Sequence, residues 1–556
     1  MITGLAMTYS PAELALYLVD CGPSGGTDLA TYAREGLPHA RVVATEAGRP
    51  FVVSVLDGLA REMTRRTMLF APHGGERAGI EGYRRETGES LPRIVAVIDG
   101  IDRVFAADDR LGDRAAQLFE TLTAQGGAHG IHLVVASHSI GPLTRLGRRT
   151  LDHLRTRVAL ACSEDESKLL LGSGDGQASQ LEQAGQAVRN LHDGDPTEAE
   201  RFRTPLIETH EIGLTVRDLR RRAIEVGLTR TPQVFDGQAP ARLEESGIHQ
   251  LAYNPTMQSA RLTPRLWLGE PAALGSPVEV SLRRNPGANL LLVGRDERLG
   301  QGLLGAAVIS AALGHGRELD LRVLDLMPLE AGFSELLRAV GEHAELTAYR
   351  RRNRDEAFQA VLDELDRRIV EEDFRARPLV FVINGLGAGP VASLEAGAVS
   401  GGAATVTPAD IANPGVDTVE ALERIVARGP EVGIHAIVWT DRLSSLAMHV
   451  TRATMREFAQ RVVMQMPAED SAMLVDSAHA SSLEANEALL YDEDAARLTA
   501  FKPYQLPGID HVKALVALAS SAAPPRSTAA GGTNALVDES DATVARLRER
   551  VARSAV

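Results

Sequence analysis

The chain has 556 residues, 44% hydrophobic and 24% charged, with 59 Lys+Arg against 74 Asp+Glu and a formal net charge of −15. This is ordinary globular composition at multi-domain length. It excludes a disordered chain and a protein coated in basic surface like DNA packers, though not a local basic groove. Two cysteines, Cys21 and Cys162, exclude a disulfide framework, and no Cys/His cluster has zinc spacing, so a reducing cytoplasm is expected. No apolar run approaches the roughly 18–20 residues that span a bilayer, and MITGLAMTYSPAEL, without a basic segment before a long apolar core, gives no expectation of a signal peptide. Membrane contact is expected only through a partner.

In chain order, continuous apolar runs predict buried strands at Leu16–Val19, Ile94–Ile98, Leu133–Ala136, Leu290–Val293, Leu321–Leu324, Leu379–Ile383 and Ala436–Trp439. Helical periodicity lies between them, as at Phe51–Phe70 and Ala357–Glu371. Strand and helix in alternation predict an α/β fold with doubly wound parallel sheets. The expected organisation is a first α/β module at 1–203, a connector at 204–260, a second module at 261–508, and linker with a short helix at 509–556. In the connector, Arg217–Arg222 sits among Leu219, Ile224 and Leu228 at helical spacing, which suggests a helix packed on the second module. In the tail, Val544, Leu547 and Val551 would share a helix face.

Five short phrases recur in the same order. Leu18–Asp20 answers to Val323–Asp325, EMTRR at 62–66 to ELDRR at 364–368, LPRIVAVIDG at 91–100 to RPLVFVINGL at 377–386, GIHLVVASHS at 130–139 to GIHAIVWTDR at 433–442, and RVALACSEDES at 157–167 to RVVMQMPAEDS at 461–471. With Asp99 set on Asn384 in the third pair, their offsets are 305, 302, 285, 303 and 304, so the chain reads as a tandem duplication whose second copy gains about 18 residues between Asn384 and Gly433.

A strand, a Gly-rich turn and a helix form the usual phosphate cradle, where backbone N–H groups, a Lys and a Ser/Thr hold phosphates and Mg²⁺. The second module offers a strand at 289–293, a turn over Gly294–Gly302 and a helix over Leu303–Leu313. Gly294, Gly300, Gln301 and Gly302 are the candidate cradle, without the Lys or the hydroxyl. The equivalent turn of the first module would fall just before Met1, so that module is expected to be truncated at its N-terminus. A strand-end Asp–Glu pair normally supports Mg²⁺ and the attacking water. The first module has Asp99–Gly100 and the second Asn384–Gly385, leaving Asp99 as the one candidate Mg²⁺-side acid. The next strand ends in Ser137 and His138, or Thr440 and Asp441. Each of these residues would serve equally well as a cap or turn residue. Four basic stretches, at 61–66, 145–157, 217–222 and 350–354, read as solvated helix faces or as a nucleic-acid channel.

The series LPRIVAVIDG, QGGAHGIHLVVASHS, LRTRVALACSEDESKLLLG and GQAVRN resembles the FtsK/SpoIIIE family of P-loop motor ATPases, and the tandem of degenerate modules is similar to multi-domain actinobacterial, EccC-like chains. The resemblance implies two RecA/FtsK-like modules, ATP and Mg²⁺ as vestigial ligands, and a hexameric ring or a partner ATPase. It implies double-stranded DNA or secreted protein as cargo. It assigns Asp99 to the Mg²⁺ side, Ser137, His138 and Thr440 to the sensor position, and Arg157 and Arg461 to a neighbouring subunit's phosphate. The implied function is an ATP-binding component of a DNA- or protein-translocating motor with hydrolysis impaired. The alternative is a non-catalytic interaction pair in a type VII secretion-like assembly.

Overall fold

The computed structural model describes residues 1–22, 29–172, 176–191, 199–228, 232–237, 239–246, 248, 263–328, 331–387 and 416–522. The first half of the chain supplies β1 (Leu14–Asp20), β2 (Ala40–Thr45), β3 (Arg93–Asp99), β4 (Ile131–Val135), β5 (Arg157–Ala159), β6 (Gln186–Asn190), β7 (Glu200–Arg203) and β8 (Gln233–Asp236). The second half supplies β9 (Arg265–Pro271), β10 (Val278–Ser281), β11 (Leu290–Val293), β12 (Asp320–Asp325), β13 (Glu345–Arg350), β14 (Leu379–Asn384), β15 (Ile434–Thr440), β16 (Gln460–Val463), β17 (Ala488–Asp492) and β18 (Arg497–Pro503).

The strands form three sheets. One has the order β4-β3-β1-β2-β8 and is parallel throughout; a small antiparallel sheet has the order β5-β6-β7; the third runs β10-β9-β18-β17-β16-β11-β15-β14-β12-β13. In the large sheet the six strands from β16 to β13 are parallel, and β17, β18, β9 and β10 extend it as an antiparallel edge. Helices cover both of its faces, which is why β11, β14 and β15 are buried along their whole lengths.

The duplication is a structural fact at the level of single hydrogen bonds. Asp20 lies opposite Asp99 in the β1–β3 register, and Asp325 lies opposite Asn384 in β12–β14. The buried Arg66 pairs with Glu62 at 2.8 Å and donates to the carbonyl of His129; the buried Arg368 pairs with Glu364 at 2.7 Å and donates to the carbonyl of Val432. The Ser167 hydroxyl accepts from the Ala178 N–H as the Ser471 hydroxyl accepts from the Ala480 N–H, each at 3.2 Å. The fall in offset from 302 to 285 marks 17 extra residues in the first copy as well, and the helix Gly75–Thr87 occupies that stretch. The added stretch of the second copy lies mostly at 388–415, outside the described residues.

Three expectations change. The helix Thr209–Glu225 buries Ile212 and Val216 against the core of the first sheet, with Leu14, Leu16 and Tyr32, and not against the second module. Its Ile224 lies off that face and is exposed, and Leu228, beyond the end of the helix, is exposed as well. The stretch after 508 opens with a helix, Ile509–Ala522, which buries Val512, Leu515, Val516 and Ala519 in the main core; the tail face at 544–551 lies outside the described residues. Finally, the segment Glu297–Glu318 is long and apolar enough to cross a membrane, yet 83% of its apolar 18-residue stretch is buried within the fold. It is apolar all round because it is enclosed on all sides.

The halves are joined by the residues after β8. The Lys502 ammonium, almost fully buried, donates to the carbonyls of Asp236, Gly237 and Ala239, and stands over the Phe235 ring, which stacks on Phe51.

Replacing Arg368 with Met takes its donor from the Val432 carbonyl, leaves the Gly433 carbonyl with the Leu379 N–H alone, and leaves Glu364 with Arg367 as its one remaining ion-pair partner among the described residues. Breaking a buried pair from one side costs about 3 kcal/mol. Urea unfolding followed by tryptophan fluorescence, which reports the buried Trp267 and Trp439, should show a loss of that size.

Candidate functional site

Parallel α/β sheets gather their chemistry at the carboxyl ends of the strands. In the large sheet that edge carries Val293, Asp325, Asn384 and Thr440. β11 ends at Val293, and only Gly294, Arg295 and Asp296 connect it to a helix that begins at Glu297. The expected nine-residue turn to Gly302 is therefore a three-residue connection. The cause is Asp296, whose carboxylate accepts from the backbone N–H groups of Arg298 at 3.0 Å and Leu299 at 3.2 Å and starts the helix two turns early. Gly300, Gln301 and Gly302 are helical and buried. A Cβ at Gly300 would collide with the Trp439 indole, and one at Gly302 with the Tyr504 carbonyl. These glycines admit close packing. Gly294 lines a cavity of about 590 Å³ with Arg295, Asp296, Asp441, Arg442 and Asp470; Glu484 and Glu487 add further negative charge to its wall.

At the neighbouring strand ends, Asn384 donates to the Asp325 carboxylate at 2.9 Å and Arg350 donates to the same carboxylate at 2.5 Å. Burial raises the Asp325 pKa, and Arg350 opposes that shift. Arg350 comes from the 350–354 basic stretch, so that residue is an internal counter-ion. The Asn384 Oδ1, Trp439 Nε1 and Thr440 Oγ1 atoms are buried without a hydrogen-bond partner among the described residues.

The first module has a different balance. Asp99 faces Asp20 across the β1–β3 register, and burial followed by Asp20 repulsion holds its carboxyl above the usual range, with His138 near enough to pull it back. Ser137 donates to the Ser139 carbonyl at 2.6 Å and to Asp102 at 3.1 Å, and Asp102 also accepts from the His138 N–H at 3.3 Å. The positions following the strand-end residues, Gly100 and Gly385, have φ of 71° and 85°. A glutamate there would be strained, so the missing acid and the left-handed backbone go together.

Arg157 and Arg461 are not aimed outward. Arg157 donates to the carbonyls of Leu154, Leu151 and Leu170, and Arg461 to those of Phe458, Met455 and Leu474 with a further ion pair to Glu493. The bonds match one for one, and both guanidiniums are structural pins. Asp20, Asp102, Asp325 and Arg350 were the site residues that spacing alone did not single out. Their signal was position: Asp20 and Asp325 end the repeated phrase at 18–20 and 323–325.

This strand order, with polar groups gathered at the carboxyl ends of its parallel strands, defines a doubly wound α/β fold. Residues 1–142 match the FtsK/SpoIIIE family. The ESX secretion system protein EccC of Thermomonospora curvata is 31% identical over 183 residues, 32% of this chain and 13% of that protein. The solved cytoplasmic domain of the type VII secretion ATPase EccC from the same organism has a TM-score of 0.59 at 20% identity, over 94% of this chain and 61% of that one. A structure of Thermomonospora curvata EccC (ATPases 2 and 3) in complex with a signal sequence peptide has a TM-score of 0.50 at 17% identity, over 91% of this chain and 85% of that one. The first 142 residues are thus similar to the FtsK/SpoIIIE family, the whole chain shares the fold of the EccC ATPase domains, and it spans only about an eighth of the length of the secretion protein it matches in sequence.

ATP and Mg²⁺ binding is general in that family. The second module does not fit them: Asp296 occupies the helix N-terminus that would hold phosphate, and Arg350 with Asn384 neutralises the strand-end acid. The first module keeps two acids that suit a cation, but among the described residues no strand and helix N-terminus stand beside β4 to hold phosphate.

Two results should follow. Substituting Gly300→Lys with Gln301→Thr should give no gain in ATP affinity by calorimetry. It should lower stability by about 2 kcal/mol, because the lysine meets Trp439. Asp99→Asn should stabilise the fold. A raised folded-state pKa means that ionised Asp99 is destabilising at neutral pH and that the penalty fades as pH falls. The gain in thermal midpoint should therefore be larger at pH 8 than at pH 4.5.

Proposed function

We propose that this chain is a non-hydrolysing component of a protein-translocating motor of the type VII secretion kind, working beside an active ATPase module. The observation that carries this reading is the closed phosphate position: a three-residue connection, an aspartate on the helix N-terminus, and a strand-end carboxylate already bound to Arg350. Removing transition-state charge stabilisation costs several kcal/mol per group. The second module lacks the lysine, the hydroxyl and the acid together.

Protein is favoured over DNA as cargo by the EccC relatives and by the net charge of −15, which opposes a duplex. One such relative was solved with a signal sequence peptide, which makes an extended peptide the natural class of ligand to try here. Assembly into a ring and attachment to the membrane's cytoplasmic side through a partner fit the same reading.

Phosphate release from ATP measured on the purified chain tests it. The expected turnover is indistinguishable from background. A rate above about 1 s⁻¹, within the ordinary range for enzymes, would overturn the reading.

A further inference from the structure

Ala15 and Tyr17 answer to Asp320 and Arg322 at the offset of 305, and Pro92 answers to Arg377 at the offset of 285. These positions lie toward the amino ends of the strands, away from the edge that carries Asp99 and Ser137. In the second copy the place is filled by the chain's own charges. The buried Asp320 carboxylate accepts from Arg322 at 3.0 Å and lies 3.9 Å from Arg377. Arg322 also donates to the Ala360 carbonyl at 2.6 Å. In the first copy alanine stands where that acid is, and Tyr17 and Pro92 stand where the two arginines are.

A cavity of about 520 Å³ opens at this place in the first copy, lined by Ala15, Tyr17, Arg41, Glu62, Arg65 and Arg66. Its volume falls within the roughly 300–1,000 Å³ of small-molecule sites. Three arginines and one glutamate are its charged residues. Glu62 is held by Arg65 at 2.7 Å and Arg66 at 2.8 Å, and Arg66 directs its other nitrogens at the carbonyls of His129 and Pro92. Arg41 reaches the cavity through a β-bulge. Leu16 pairs with Ala40 but Tyr17 pairs with Val42, so Arg41 is the extra residue of β2. β12 and β13 keep continuous register over the matching positions. A bulge bends its strand and re-aims the side chain there. The rest of the wall is largely apolar, with Pro11, Pro38, Leu91 and Leu228.

We propose that this cavity binds a small organic acid with an apolar body, whose carboxylate takes the place that Asp320 fills in the second copy. The second copy supplies the recognition chemistry, a carboxylate between guanidiniums beside the start of the strand. The first copy has lost the internal acid and gained a guanidinium. A neutral ligand would leave the excess positive charge unmatched. A bare inorganic anion would meet the charge but leave the apolar wall in water. The site is separate from the strand-end acids, because Ile94 on its wall stands roughly 16 Å along β3 from Asp99. The inference therefore holds whether or not the chain hydrolyses ATP.

Calorimetric titration of the full chain with 4-phenylbutanoate as probe tests it. The expected dissociation constant is about 1 mM or tighter. The amide 4-phenylbutanamide has the same body without the charge, and inorganic phosphate has charge without the body. Each should bind at least tenfold more weakly than 4-phenylbutanoate, a comparison that needs no altered protein. Arg41→Gln should weaken 4-phenylbutanoate at least tenfold. No binding of 4-phenylbutanoate, equal binding of the amide or of phosphate, or undiminished binding by a folded Arg41→Gln chain would overturn the proposal.

Discussion

A parallel sheet has no stable half: each interior strand must find hydrogen bonds on both sides and apolar cover on both faces. β11 meets that constraint for the second copy. Its four residues are buried completely, its backbone joins β15 to β16, and Asn289 just before it binds the carbonyls of Val426 and Glu457 and the N–H of Ala436. Core residues collect on both sides of this strand, Leu290 and Leu292 on one face and Leu291 and Val293 on the other. In the first copy the corresponding strands fall into two separate sheets.

The strand-end charges follow from the same geometry. Register places two polar positions opposite each other at the ends of β1 and β3 in the first copy and of β12 and β14 in the second. Two aspartates occupy them in the first, and one aspartate with an asparagine in the second. The second arrangement removes a buried like-charge contact and adds Arg350 as counter-ion, which suits packing and removes the acid a divalent cation would use. The matched pins Arg66 and Arg368, and Arg157 and Arg461, show what both copies retained: guanidiniums that satisfy loop carbonyls inside the fold.

Much of this was legible in the chain. The parallel strands were visible because burial on both faces leaves no polar alternation, and the duplication because its phrases hold residues whose bonds recur. The antiparallel edge was missed: β18, with Arg497, Thr499 and Lys502, carries no continuous apolar run, and β10 is only four residues long. The start of the helix after β11 was misplaced because Gly300 and Gly302 look like turn residues. Only the structure shows that Trp439 and Tyr504 press on them. The roles of Arg157 and Arg461 needed the carbonyls that surround them, which are distant from any motif.

The central claim is that neither copy, as described, presents a complete phosphate cradle. Calorimetric titration of the whole chain with ATP and Mg²⁺ tests this most directly. A carboxylate on the helix N-terminus competes for the N–H groups and the dipole that phosphate needs. The account predicts a dissociation constant of about 100 μM or weaker, roughly −5.5 kcal/mol or less favourable. Low-micromolar binding would contradict it.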